Sequence, residues 1–128
     1  KVAKAEDIAK LRKHLQDEHE ALHAGRDSDA IKLSARFHLD LARIAGHSIL
    51  AAFVAELLPR SSLIIALYWQ RRETTCESHA HNALIDSIEK RRPNEASFLM
   101  KAHILDLLDG LNLNRTEKDH KRLSDILK

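Results

Sequence analysis

Three observations on this 128-residue chain predict one all-α domain, an antiparallel bundle of about six helices. The length suits a single hydrophobic core. A content of 44% hydrophobic and 31% charged residues excludes a disordered chain. Three glycines and two prolines are too few turn formers for a β-sandwich or a β-barrel, so helices remain.

Apolar residues at helical spacing predict the first two helices. The first runs from about Glu6 to Ala24, and Gly25 ends it. Asp27 or Ser28 caps the second, which ends at Gly46. Their apolar positions are Ile8, Leu11, Leu15 and Leu22 in the first, and Ala30, Leu33, Phe37, Leu41 and Ile44 in the second.

The third helix is predicted from Ile49 to about Gln70, with Ser48 as its cap. Pro59 removes one backbone donor and clashes with the previous turn, so we expect a kink or a split there. The stretch from Ile49 to Trp69 is the longest apolar one in the chain, but Glu56 and Arg60 interrupt it. Such charges are costly in a bilayer, so we predict a buried helix and no membrane span.

Three more helices complete the prediction. The fourth runs from Thr74 to Arg92, and the fifth begins at Pro93. Their inward positions are Leu84, Ile85 and Ile88, then Ala96, Leu99, Met100, Leu107 and Leu111. A last short helix carries Leu123, Ile126 and Leu127. No linker or repeat divides the chain, so residues 1–128 form one domain.

Charge and cysteine content limit the partners and the compartment. The net charge of +2 includes no basic block, so charge alone assigns no DNA contact to this chain. A single cysteine, Cys76, excludes an internal disulfide, and no signal segment is evident. We therefore expect a cytoplasmic protein.

Nine histidines are an unusual load for a chain of this length. His81 and His103 each lie at the centre of the apolar stripe of a predicted helix, and His38 lies beside Phe37, with Ser34 one turn before it. Three helices thus each direct one imidazole toward the core. The residues allow two interpretations: hydrogen-bonded core histidines, or one metal ion shared by all three.

The string HEALH, residues 19–23, matches the HExxH pattern of zinc proteases. Glu20 is turned roughly 100° from His19, toward solvent, and no third ligand follows. A solvated helix face is therefore favoured over a zinc hydrolase. The sequence also contains no Ser/His/Asp arrangement, phosphate-binding loop or acidic pair placed for catalysis, so we predict no enzyme and no catalytic residue.

Four segments together resemble the effector-binding C-terminal domain (FCD) of FadR-type regulators in the GntR superfamily. FHLDLARIAGHSIL, residues 37–50, is similar to the FHxxLAxxAGNxxL signature of that domain. HNALIDSI and RPNEASFLMKAHI resemble two later motifs, and their histidines have the family's separation of 22 residues. RSSLIIALYWQ, residues 60–70, lies between the first and second of these segments and is similar to the central helix of one branch. The usual first helix and the upstream winged helix-turn-helix domain are not in this sequence.

The resemblance implies metal ligation by His38, His81 and His103. The family's fourth ligand, an aspartate four residues before the first histidine, is Ser34 here. Three neutral imidazoles leave a divalent cation with uncompensated charge, so we expect a small carboxylate effector at the metal, aided by Ser34 and Arg60. Arg60 has the alternative of reaching solvent beside Pro59. Zinc is the first choice of metal, and nickel, copper and iron are chemically admissible.

The resemblance also implies a homodimer that binds operator DNA only through the missing N-terminal domain. Two alternatives stay open. In the first, the domain is a metal-free helical sensor whose histidines are hydrogen-bonded to one another. In the second, it is a helical module that binds other proteins.

Overall fold

The computed structural model describes residues 3–69 and 75–111, and for residues 75–78 it describes the backbone only. These residues form five α-helices. The helices are α1 (Ala5–His23), α2 (Asp27–Ile44), α3 (Ser48–Tyr68), α4 (Thr75–Glu89) and α5 (Pro93–Asp109). The described residues contain no β-strand, which confirms the predicted all-α class. The expected sixth helix, with Leu123, Ile126 and Leu127, lies outside the described residues.

Helix packing joins the five helices in the spatial order α3, α2, α1, α4 and α5. Helix α1 packs against α2 and α4, α3 packs against α2, and α5 packs against α4. Each of the three short turns between consecutive helices contains a residue with positive φ: Gly25, Gly46 and Arg91. Left-handed backbone of this kind closes a helix end and lets the chain reverse, which makes each helix pair an antiparallel hairpin.

The core lies where α1, α2 and α4 meet. Its buried apolar side chains are Ile8, Leu11, Phe37, Leu84 and Ile85. All five were predicted as inward positions from helical spacing. Helix α5 covers one side of this core with the partly buried Ala96, Leu99 and Met100.

An ion-pair network holds α1 against α4. The Arg12 guanidinium donates to Asp86 and Glu89 at 2.6 Å each, and to the Asn82 amide oxygen at 3.1 Å. Partly exposed ion pairs of this kind are each worth about 1 kcal/mol or less. These ion pairs matter more for the position of α1 than for stability, because they fix the side of α1 that faces α4.

Helix α3 is less buried than the sequence predicted, and it does not split at Pro59. None of its residues is buried, because it packs mainly against α2, and Ile49 and Phe53 are 65% and 60% exposed. The helix also continues through Pro59 without a break. Proline removes a single donor, and apolar residues on both sides of it still face α2. By length and composition alone α3 is apolar enough to cross a bilayer, which is weak evidence for a span.

The predicted caps of α2 and α3 are each displaced by one residue. Asp27 and Ser48 are the first helical residues, and the residues before them are the caps. At α3 the Nδ1 atom of His47 accepts a hydrogen bond from the Leu50 amide at 3.3 Å. The His47 imidazole therefore caps α3 in place of the predicted Ser48 hydroxyl.

A close contact joins the ends of α3 and α5. Trp69 and Leu111 form an isolated antiparallel bridge, and Gly110 lies against the Trp69 ring. A Cβ atom at position 110 would lie 2.2 Å from Cζ3 of that ring, closer than two carbon atoms can approach. Glycine at position 110 is therefore required by this contact.

We expect Gly110→Ala to lower the free energy of unfolding by about 1–3 kcal/mol, because the ring must move. Urea unfolding followed by circular dichroism measures the loss. Trp69 is the only tryptophan, so its fluorescence should also shift to longer wavelength. In a Trp69→Leu background the same substitution should cost much less. Equal unfolding curves and equal emission for Gly110→Ala and the native chain would contradict this packing.

Candidate metal centre

Three imidazoles from three helices converge at the edge of the core. His38 comes from α2, His81 from α4 and His103 from α5. The Nε2 atom of His103 lies 3.1 Å from Nε2 of His81 and 3.3 Å from Nε2 of His38. One nitrogen from each ring lies within 4.8 Å of the other two. The structure thus brings together the three histidines that the sequence singled out.

Neighbouring apolar residues fix the direction of these rings. His81 and His103 are buried and His38 is half-buried. Phe37, the residue before His38, stacks on the His81 ring with centroids 4.2 Å apart and planes 24° from parallel. Because Phe37 is itself fully buried, the His81 ring has little freedom to turn away from the cluster.

The separations between the ring nitrogens fit a shared cation. In a tetrahedral zinc site with Zn–N bonds of about 2.0–2.1 Å, two ligand nitrogens are about 3.3 Å apart. Hydrogen bonds between the rings explain the close contacts of these nitrogens less well than a shared cation does. The Nε2 atom of a neutral imidazole has either one proton or one lone pair, yet Nε2 of His103 contacts two other ring nitrogens. One of those two contacts is therefore left without a good hydrogen bond.

Glu18 is a site residue that the sequence analysis missed. Its Oε2 atom lies 3.2 Å from Nδ1 of His81, and both side chains are buried. An Nδ1–H donated to this carboxylate leaves the Nε2 lone pair of His81 facing His103. A carboxylate behind a histidine ligand is a frequent arrangement in metal sites, where it fixes the tautomer and the ring orientation.

The sequence contained a signal for Glu18. The acidic run at residues 17–20 was interpreted as an exposed helix face, whereas Glu18 is 1% exposed. It follows Leu11 by seven residues and Leu15 by three, which puts it on the apolar stripe of α1. Its Oε1 atom is buried and has no hydrogen-bond partner among the described residues.

Burial keeps the three imidazoles neutral. Loss of solvent and, to a smaller extent, the neighbouring His81 and His103 lower the pKa of His38 to about 3. Burial also lowers the pKa of His81 and of His103 to about 4. It raises the pKa of Glu18 to about 7. At neutral pH the three rings therefore have the free lone pairs that a metal ion requires.

A cavity of about 460 Å³ between α2, α3 and α5 adjoins the cluster at His38. Ser34 lines this cavity, as the sequence analysis expected. Arg60 does not line it. Its side chain is 72% exposed and lies 3.8 Å from Glu56. His47, which occupies the position of the family's asparagine, is also outside the lining and caps α3.

In the HEALH segment, His19, Glu20 and His23 are exposed, and Ala21 is buried. His19 and His23 contact each other through their Nε2 atoms at 2.8 Å, and Glu20 accepts a hydrogen bond from Gln16 at 2.9 Å. Neither histidine belongs to a group of three possible metal ligands among the described residues. The side chain of Cys76 and the whole of His120 lie outside the described part of the chain.

The stability of metal-free protein should fall as the pH decreases from about 6.5. The three histidines have pKa values near 3–4 in the folded chain and 6.5 when solvated, so unfolding takes up protons in this range. Glu18 opposes this trend, because its raised pKa makes unfolding release a proton above about pH 4.5. The net uptake is roughly two protons near pH 5, or about 3 kcal/mol per pH unit.

Urea unfolding in the presence of a chelator, at several pH values between 7 and 5, measures this slope. His103→Gln should lower the uptake by about one proton. His23→Gln, on the exposed face of α1, is the matched control and should leave the slope unchanged. Stability that is constant or increases on acidification would contradict the buried, neutral state of the cluster.

Comparisons with known proteins identify the family of the chain. No curated protein and no solved structure gave a match. A family model described as the FCD domain matches residues 1–106, which include the three histidines, Glu18 and all of α3. The match covers well over half of the chain and agrees with the four motifs noted in the sequence. The chain therefore belongs to the FCD domain family, the C-terminal domains of GntR/FadR-type regulators.

Proposed function

We propose that this domain senses a small carboxylate at a divalent metal ion held by His38, His81 and His103. The observation that carries the proposal is the convergence of three Nε2 atoms, two of whose separations are 3.1 and 3.3 Å, with Glu18 behind His81. Zinc is the first choice, because it accepts imidazole ligands in this number and geometry. Nickel, copper and iron suit the same nitrogen donors.

The charge of the site favours an anionic effector. Three neutral imidazoles contribute no negative charge, and Ser34 stands where the FCD signature has an aspartate. A bound divalent ion supplies open coordination positions and positive charge for a carboxylate oxygen. Ser34 lines the adjoining cavity, and in this proposal its hydroxyl donates a hydrogen bond to the ligand. Arg60 is not part of the proposal, because its side chain points to solvent.

The site links two helical hairpins that both pack against α1. His38 belongs to the α2–α3 hairpin, and His81 and His103 belong to the α4–α5 hairpin. A ligand bound at all three favours one arrangement of these hairpins over others. In the proposed cytoplasmic regulator, a homodimer, that preference shifts the population of an upstream winged helix-turn-helix domain between DNA-competent and DNA-incompetent states. The described domain contacts no operator itself.

A metal-free sensor is the second candidate function. The separation of 3.1 Å between His81 and His103 suits a hydrogen bond between two imidazoles, and burial keeps the rings neutral. In that case the cavity beside His38 would bind its ligand without a cation. The two candidates differ in metal content, which can be measured directly.

We expect protein purified without a histidine tag or a nickel column to contain about one divalent metal ion per chain. Elemental analysis after gel filtration measures this content. His81→Ala should lose the metal, and His38→Ala, at a half-buried position, gives the same test with less risk to folding. His23→Ala removes an exposed histidine and should retain the metal. Native protein that is metal-free and takes up no added zinc would overturn the metal site.

Glu18→Gln should weaken zinc binding by about 10- to 100-fold, because the amide holds the Nδ1–H of His81 less strongly than a carboxylate does. Competition with a chromophoric chelator measures the affinity. Glu20→Gln, on the exposed side of the same helix, is the matched control and should bind zinc as tightly as the native chain. Equal affinities for Glu18→Gln and Glu20→Gln would show that Glu18 does not support the site.

A further inference from the structure

The cavity beside His38 is almost entirely apolar, which restricts what it can bind. Thirteen of its seventeen lining residues are aliphatic, alanine or methionine, and none is Lys, Arg, Asp or Glu. The polar lining side chains are His38, Ser34, Ser61 and Ser62. The Ser61 hydroxyl already donates to the Leu57 carbonyl at 3.1 Å. A ligand with a second charge would therefore lose its hydration without gaining an ionic partner.

The polar lining residues lie away from the α2–α3 turn. Helices α2 and α3 pack against each other across a three-residue turn and so run antiparallel. Ser34 and the two serines at positions 61 and 62 are at similar distances from that turn along the two helices, and face the same level of the cavity. The lining nearest the turn contains Ala42, Ala45, Leu50 and Val54, with no polar side chain.

From these observations we infer that the cavity binds a monocarboxylic acid with an unbranched or compact apolar body of about six to ten carbons. This inference rests on the proposed function, since the carboxylate is placed at the histidine cluster. The apolar body then extends along α2 from His38 to Ala45. Seven residues of helix span about 10 Å, the length of roughly eight bonds in an extended chain.

Hydroxy acids and dicarboxylic acids fit this cavity less well. Each added hydroxyl or carboxylate would face the aliphatic lining near the α2–α3 turn. A volume of about 460 Å³ is also larger than a two- to four-carbon acid fills, so such an acid would leave the apolar surface wet. Chain length and the number of charges are therefore the two properties that decide binding.

Isothermal titration calorimetry of the zinc-loaded chain with butanoate, hexanoate and octanoate tests the inference. Affinity should rise about fourfold for each methylene group that enters the cavity, or about 15-fold per step of the series. Octanedioate and 1-octanol should each bind at least tenfold more weakly than octanoate. Affinity that does not change with length, or equal binding of octanoate and octanedioate, would overturn the inference.

Two variants locate the apolar body. Val54→Phe fills the end of the cavity near the turn and should weaken octanoate binding at least tenfold while leaving butanoate unchanged. Ala52→Phe adds the same ring outside the lining of the same helix, and octanoate should bind this control as it binds the native chain. A Val54→Phe variant that changes the oligomeric state and not octanoate binding would assign this face to a second copy, and overturn the inference.

Metal content measured on the same samples separates the two proposals. A zinc-loaded chain with no length dependence overturns the cavity inference and leaves the metal site in place. A chain that takes up no zinc overturns the proposed metal site. If that metal-free chain binds octanoate and 1-octanol equally, the placement of the carboxylate at the histidines is overturned as well.

Discussion

Three imidazoles bring their ring nitrogens together at the edge of the core, and the rest of the site depends on which partners those nitrogens bind. Each Nε2 atom can be a donor or an acceptor but not both, while Nε2 of His103 faces two neighbours. Unsatisfied buried polar atoms cost about 1–3 kcal/mol each. A cation removes the conflict because it accepts all three lone pairs at once. The same cation would give the neighbouring cavity its only charge.

The remainder of the bundle can be understood as support for that cluster. Helix α1 contributes Glu18 to the site, and its register against α4 is fixed by Arg12 six residues earlier. Phe37 both fills the core and stacks on His81. Helix α3 has a different role, since it is held mainly by α2 and forms one wall of the cavity. The well-packed helices hold the three histidines, and the loosely packed helix lines the cavity.

Much of this arrangement follows from local sequence patterns. Helical spacing predicted the buried Leu11, Phe37 and Ile85 and placed His81 and His103 on inward faces, because burial of a helix stripe depends mainly on period. Spacing did not predict the exposure of α3, which depends on how many neighbours a helix finds. For Arg60 the sequence left both an effector-binding position and a solvent-exposed position open. Glu18 was missed because its charge was weighed above its position on the stripe.

X-ray absorption spectroscopy at the zinc edge tests the central claim most directly, because it counts ligands around the ion in solution. For zinc-loaded protein we predict three imidazole nitrogens at about 2.0–2.1 Å, with light oxygen ligands completing the shell. His103→Gln should reduce the imidazole count to two. A shell containing sulfur from Cys76, or fewer than three imidazoles in the native chain, would contradict a site built from His38, His81 and His103.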